Sequence, residues 1–142
     1  MSIKYPSTIL MVCISILFLT ACLPVSPSME VAVNAEDDNS NVVSVQELET
    51  LLEQKDFTLV NVHIPWQGNI PNTDLQLSYD RINDNLDQLP TNKEAKILVY
   101  CLTSGMAKIA VQFLIDLGYS NVWMLEGGTT AWIEAGLPLI ME

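Results

Sequence analysis

The sequence predicts an α/β fold built on a parallel sheet, and three observations carry that prediction. Short β-rich runs alternate with helix-patterned segments through residues 42–142. Two of those runs, residues 96–100 (KILVY) and 121–125 (NVWML), are apolar almost throughout, as strands covered on both faces are. Between them lies a helical stretch over 105–117, so the three together form a βαβ unit whose strands run parallel with a right-handed crossover.

The remaining elements follow from local chemistry. Ser44-Val45-Gln46-Glu47 fits a capping box, and Val45, Leu48, Leu51 and Leu52 recur at helical spacing, so a first helix runs from there to about Lys55. Residues 58–62 (TLVNV) are a short strand. Pro65, Gly68, Pro71 and Asn72 then keep the chain irregular. Ser78 as N-cap, with Tyr79, Ile82, Leu86 and Leu89 on one face and Pro90 as a stop, predicts a second helix. In the 105–117 helix the polar positions Lys108, Gln112 and Asp116 fall four apart in an otherwise apolar surface, and Gly118 ends it. After 121–125 come a Glu126-Gly127-Gly128 turn, a short helix over 130–135, and Gly136 and Pro138 to close.

The first 41 residues read differently. Lys4 is the only charge ahead of the apolar run 9–19 (ILMVCISILFL). As a helix that run would rise about 16 Å, roughly half a bilayer core, which suits a signal-peptide core and not a span. Leu19-Thr20-Ala21-Cys22 follows at once and resembles a bacterial lipobox. That resemblance implies cleavage after residue 21 and lipid on Cys22, with a plain secretory signal or an uncleaved anchor as the alternatives. Residues 22–41 carry two prolines in their first six positions and then an acidic patch, with no helical or strand period. They read as a flexible tether with a reach of roughly 25 Å. The expected location is therefore extracytoplasmic, lipid-anchored to a bacterial membrane and facing the periplasm or the cell surface.

Composition narrows the chemistry. Among 142 residues there are six Lys plus Arg against seventeen Asp plus Glu, and one His. Nucleic acid is excluded as a partner, because no basic stripe is present to meet phosphates. Of three cysteines, Cys13 would leave with the signal peptide and Cys22 would carry lipid, so Cys101 would be the one thiol retained. An internal disulfide then lacks a second thiol, and with His63 the only histidine no metal site or cofactor is expected. Cys101 stands at the carboxyl end of a parallel strand, the edge at which open α/β sheets bind ligands. The helix that follows aims free N–H groups and its positive end at the loop, which favours a thiolate. Position alone leaves two readings open: a nucleophile, or an inert buried thiol.

At this point the residues resemble a known family, the rhodanese-like domains, which carry sulfur as a cysteine persulfide. The resemblance rests on LVNV (59–62) with its proline loop, Ile70-Pro71, VYC (99–101) with its loop and helix, LGYSNVWMLEGG (117–128) and AWIEAGLPL (131–139). It implies a rhodanese-like three-layer α/β/α domain over 42–142, with a central five-stranded parallel sheet. It further implies that Cys101 accepts sulfur, and that the N–H groups of Leu102, Thr103, Ser104, Gly105 and Met106 cradle it.

Departures from the family pattern bear on activity. Family loops commonly carry arginine for an anionic donor such as thiosulfate; here Leu102 to Met106 hold no cation, and Lys108 is the nearest one. The common Asp-x-Arg becomes Asn61-Val62-His63, and Gly-His-Ile-Pro becomes Gly68-Asn69-Ile70-Pro71. Losing a charge-assisted contact to a small dianion costs about 1.5 to 3 kcal/mol, or roughly ten- to a hundredfold. A cysteine phosphatase would need arginine where Ala107 stands, which excludes that chemistry. His63 is either a substrate-orienting or basic residue or a structural one. Thr103 and Ser104 either donate hydroxyls to the bound group or, for Ser104, cap the helix. Trp123, Met124 and Trp132 are expected in the core, and Gly127 or Gly128 at positive φ.

Two functions follow. One is a sulfurtransferase or sulfur carrier, taking sulfane sulfur from a small donor onto Cys101 and passing it to a thiol or other nucleophile. The other is a binding or redox-sensing module on the same fold, with a protein partner.

Overall fold

The computed structural model describes residues 41–142. The expected signal peptide, with Cys13, and the expected tether up to residue 40, with Cys22, lie outside the described residues. Five strands are present: β1 (Asn41–Val43), β2 (Thr58–Asn61), β3 (Leu75–Gln76), β4 (Ile97–Tyr100) and β5 (Val122–Leu125). They form one sheet in the order β1-β5-β4-β2-β3, and every pairing is parallel. The helices are α1 (Val45–Glu53), α2 (Gly105–Asp116) and α3 (Gly128–Glu134), with a 3₁₀ turn at Ile82–Asn85.

The pleat of β4 divides the core in two. Ile97, Leu98, Val99 and Tyr100 are all fully buried, and their side chains alternate between the faces. Ile97 and Val99 join Val60, Val62, Val122 and Met124 against Ala107, Ala110, Val111 and Leu114 of α2. Leu98 and Tyr100 join Leu59 and Leu125 against Val45 and Leu48 of α1 and Trp132 of α3. The result is a three-layer α/β/α domain with a five-stranded parallel sheet.

α1 begins with a full capping box: Glu47 N–H donates to Ser44 Oγ at 3.3 Å, and Ser44 N–H donates to the Glu47 carboxylate at 2.7 Å. These bonds hold the Glu47 carboxyl below its ordinary pKa of 4.5. Two strands escape sequence patterning. β1 falls partly inside the expected tether, and β3 is two residues long, too short for any period.

The expected second helix is corrected by the structure. Only a single 3₁₀ turn forms, because Asp80, Asn83, Asp84, Asn85 and Asp87 are poor helix residues whose side chains compete for backbone. Asn85 Nδ2, for example, donates to Arg81 O at 3.0 Å. Ile82 and Leu89 are buried against α2 all the same, while Leu86 is left exposed.

A hydrogen-bonded cluster at Tyr100 joins β4 to the loop after β2. Ile70 N–H donates to the Tyr100 hydroxyl at 3.0 Å, and that hydroxyl donates to Thr73 Oγ1 at 2.7 Å, Thr73 itself donating to Ile70 O at 2.6 Å. Burial, opposed in part by these bonds, raises the phenol pKa above 10.0.

Tyr100→Phe leaves the Ile70 N–H unpaired in the interior, and a loss of about 1 to 3 kcal/mol is expected in denaturant unfolding at neutral pH. The folded protein keeps the phenol proton where the unfolded chain has released it, so this tyrosine's contribution falls as pH rises above 10.0. The gap between wild type and Tyr100→Phe is expected to narrow there; a constant gap would refute the assignment. Ser44→Ala is expected to cost about 1 kcal/mol, and to reduce the loss of stability seen as pH falls below 4.5.

Candidate functional site

β4 delivers Cys101 to the carboxyl edge of the sheet, where it is only 2% exposed and packs in the core layer shared with α2. The chain then turns through Leu102, Thr103 and Ser104 and enters α2 at Gly105. The loop's shape is set from outside by the first turn of α3. Thr129 N–H donates to Cys101 O at 2.9 Å, and Thr130 donates to Leu102 O through both its N–H and its hydroxyl, each at 2.9 Å.

Gly128 permits that approach. A Cβ placed there would lie 2.2 Å from Cys101 O and 2.5 Å from Thr103 O, so no other residue fits without backbone movement. Its φ of +57° is also unfavourable for a side chain. Three successive carbonyls, of Cys101, Leu102 and Thr103, therefore face Gly128 and α3.

In a trans peptide the N–H lies opposite the C=O of the same unit. The N–H groups of Leu102, Thr103 and Ser104 thus turn to the other side of the loop, and those of Gly105 and Met106 stand in the open first turn of α2. Among the described residues no acceptor takes a hydrogen bond from any of these five. The loop is a row of free donors following a buried thiol.

The other expected site residues fall around it unevenly. Ser104 occupies the N-cap position of α2 without a capping bond; instead its hydroxyl accepts from Gly127 N–H at 3.2 Å, tying the loop to the glycine turn. The expected capping bond is thus replaced by a tie to the nearby glycine turn, and the hydroxyl keeps its own proton to donate. The Thr103 side chain is exposed. Leu102 and Met106 are half-buried, Met106 against the Cys101 core layer. Lys108 lies one turn into α2 and is exposed.

His63 lies two residues past the end of β2, next to the end of β4, since Val62 N–H donates to Tyr100 O at 2.9 Å. It is 7% exposed, and neither ring nitrogen has a partner among the described residues. Its backbone is fixed by Asn61, whose Oδ1 accepts the His63 N–H at 2.9 Å. Asn61 in turn donates to Asn69 Oδ1 at 2.8 Å and to Gly68 O at 3.1 Å. The two departures at positions 61 and 69 are therefore partners: a neutral amide pair holds the loop.

Met124 and Trp132 lie in the core as expected, but Trp123 is only half-buried. With Val43, Leu51 and Lys96 it lines a hollow of about 420 Å³ beside α1, and no residue of the Cys101 loop lines it. No group of three acidic, cysteine or histidine side chains able to hold a metal occurs among the described residues. The residues that sequence reasoning passed over are Thr129 and Thr130, which hold the loop; the Gly127-Gly128 doublet was their only signal.

Comparison with known proteins agrees with this architecture. Residues 44–135 match the Rhodanese-like domain family. A sulfurtransferase from Allochromatium vinosum is 32% identical over 93 residues, covering 63% of this chain and 84% of that protein. The thiosulfate sulfurtransferase GlpE from Vibrio cholerae is 26% identical over 99 residues, covering 68% of this chain and 92% of that protein. The crystal structure of a rhodanese-related protein from Thermoplasma volcanium superposes with a TM-score of 0.61 at 26% identity, covering 72% of this chain and 99% of that one. Because the match runs without interruption from the Ser44 cap through the whole of α3, and takes in the Cys101 loop and the glycine turn that shapes it, the chain belongs to the rhodanese-like domain family.

Proposed function

We propose that this protein is a sulfurtransferase or sulfur carrier that forms a persulfide on Cys101 and is held outside the cytoplasm by lipid on Cys22. The observation that carries the reading is the row of unpartnered N–H groups from Leu102 to Met106, fixed beside the only thiol of the described residues. Similarity to sulfurtransferases adds to it. The Leu19-Thr20-Ala21-Cys22 sequence supports the anchor.

The chemistry balances without an outside oxidant. Cys101 Sγ, as thiolate, attacks the sulfane sulfur of the donor; a new S–S bond forms as the donor's own bond to that sulfur breaks, and the donor leaves with the electron pair. The outer sulfur now carries the negative charge, and the free N–H groups of residues 102–106 together with the positive end of α2 stabilise it there. An acceptor thiolate or other nucleophile then attacks that outer sulfur, and Cys101 departs as thiolate.

The binding or redox-sensing module stays as a second reading, favoured by the absence of a cation from the loop. With backbone N–H groups alone to hold charge, a compact dianion such as thiosulfate is bound less well than a persulfide group, which carries at most one negative charge. The small donor and the acceptor thiol are thus the partners proposed, with no nucleic acid among them.

Incubation of the protein with polysulfide or glutathione persulfide is expected to add the mass of one sulfur atom at Cys101, with Cys101→Ser taking none at that position. Absence of the adduct from every donor, with cyanolysis rates equal in the two proteins, would leave only the binding module. Met106→Arg is expected to raise thiosulfate use by roughly ten- to a hundredfold, read as kcat/KM in a cyanide assay. Gly128→Ala is expected to disorder the cradle: persulfide loading falls by about a hundredfold, while circular dichroism still reports the folded sheet. Loading unchanged in a folded Gly128→Ala protein would remove the cradle from the mechanism.

A further inference from the structure

α2 is apolar on more sides than one domain covers. Ala107, Ala110, Val111 and Leu114 face the sheet, yet Ile109 and Phe113 on the outer side remain 46% and 38% exposed. Leu86, just past the 3₁₀ turn whose Ile82 packs against this helix, is 43% exposed. A helix with apolar residues outside its core-facing stripe has a second surface to bury.

The outer face consists of two i, i+4 rows. One is Lys108, Gln112 and Asp116; the other is Ile109 and Phe113, continued toward the loop by Gly105. Each row is complementary to itself reversed. Lys108 and Asp116 lie about 6 Å on either side of Gln112 along the axis, with opposite charges. Ile109 and Phe113 are centred within one residue of the same point.

A two-fold axis normal to the plane of two antiparallel helices keeps each row on its own side and reverses its order. Lys108 of one copy then meets Asp116 of the other, twice, and Gln112 meets Gln112 as an amide pair. Ile109 packs on Phe113 across the axis, in the groove between rows. Among the described residues Lys108 makes no ion pair, and Asp116 takes only Gln112 Nε2, at 2.9 Å.

We propose that the outer face of α2 is a two-fold interface between two copies of this chain. The antiparallel pairing sets each Cys101 loop at the N-terminal end of its own α2, toward the partner's α2 C-terminus. It is independent of sulfur transfer, so a protein that fails to load sulfur still tests it.

The test is the mass of the full chain in mild detergent, by sedimentation over a concentration series. Wild type is expected to reach the mass of two chains. Lys108→Glu and Asp116→Lys are each expected to weaken association at least tenfold, and the double variant Lys108→Glu/Asp116→Lys, which restores opposite charges across the axis, to recover it. Phe113→Ser is expected to give single chains. A single-chain mass at every concentration overturns the proposal. So does association that the two charge reversals leave unchanged, as self-association through residues 1–40 or another surface would be.

Discussion

The shape of the Cys101 loop depends on one close approach, that of Gly128 to the carbonyl oxygens of Cys101 and Thr103. A peptide unit has two polar ends, and fixing one fixes the other. By drawing the carbonyls toward α3 and satisfying two of them with Thr129 and Thr130, the fold leaves the opposite N–H groups without an acceptor among the described residues. Backbone donors arranged in this way cost no reorganisation when an anion arrives, and no side chain has to be ordered to supply them. The residue that shapes the loop is thus one with no side chain, in a different element, some twenty-seven positions further along the chain.

Neither residues 102–106 nor residues 62–72 include an Asp, Glu, Lys or Arg. The loop carries leucine and methionine, and the segment after β2 is held by the Asn61–Asn69 amide pair. Neutral hydrogen bonds of this kind are weaker than charge-assisted ones and leave a weaker field. In a chain with a formal net charge of −11, this edge exerts little long-range attraction on small dianions.

Much of the fold was legible in the sequence because its determinants are local. KILVY and NVWML are apolar runs that only a doubly covered strand explains, and Ser44 to Glu47 is a complete cap signal. Where determinants are distant, reading failed. β3 is a strand only because Leu77 and Asp74 bond to β2, and Leu75–Gln76 has no pattern of its own. The 78–90 segment showed apolar residues at helical spacing, but its aspartates and asparagines outweighed the period, and Ile82 and Leu89 reach the core from turns instead. At the site, the thiol and its loop were visible from strand and helix order. The role of Ser104 was not, since its partner, Gly127, lies on another element that packing alone brings near.

A sheet in which every strand runs the same way has a polarity, like an arrow with a tail and a point. Asn41 begins β1 at the tail, and Cys101 leaves β4 at the point. By register Asn41 is level with Leu98, so three residues of strand, about 10 Å, separate its level from that of Cys101 along the sheet. The chain enters the described sheet on its β1 edge strand, two strands from β4, so a pull along β1 is borne first by the β1–β5 pairing and not by the turn that Gly128 holds in place.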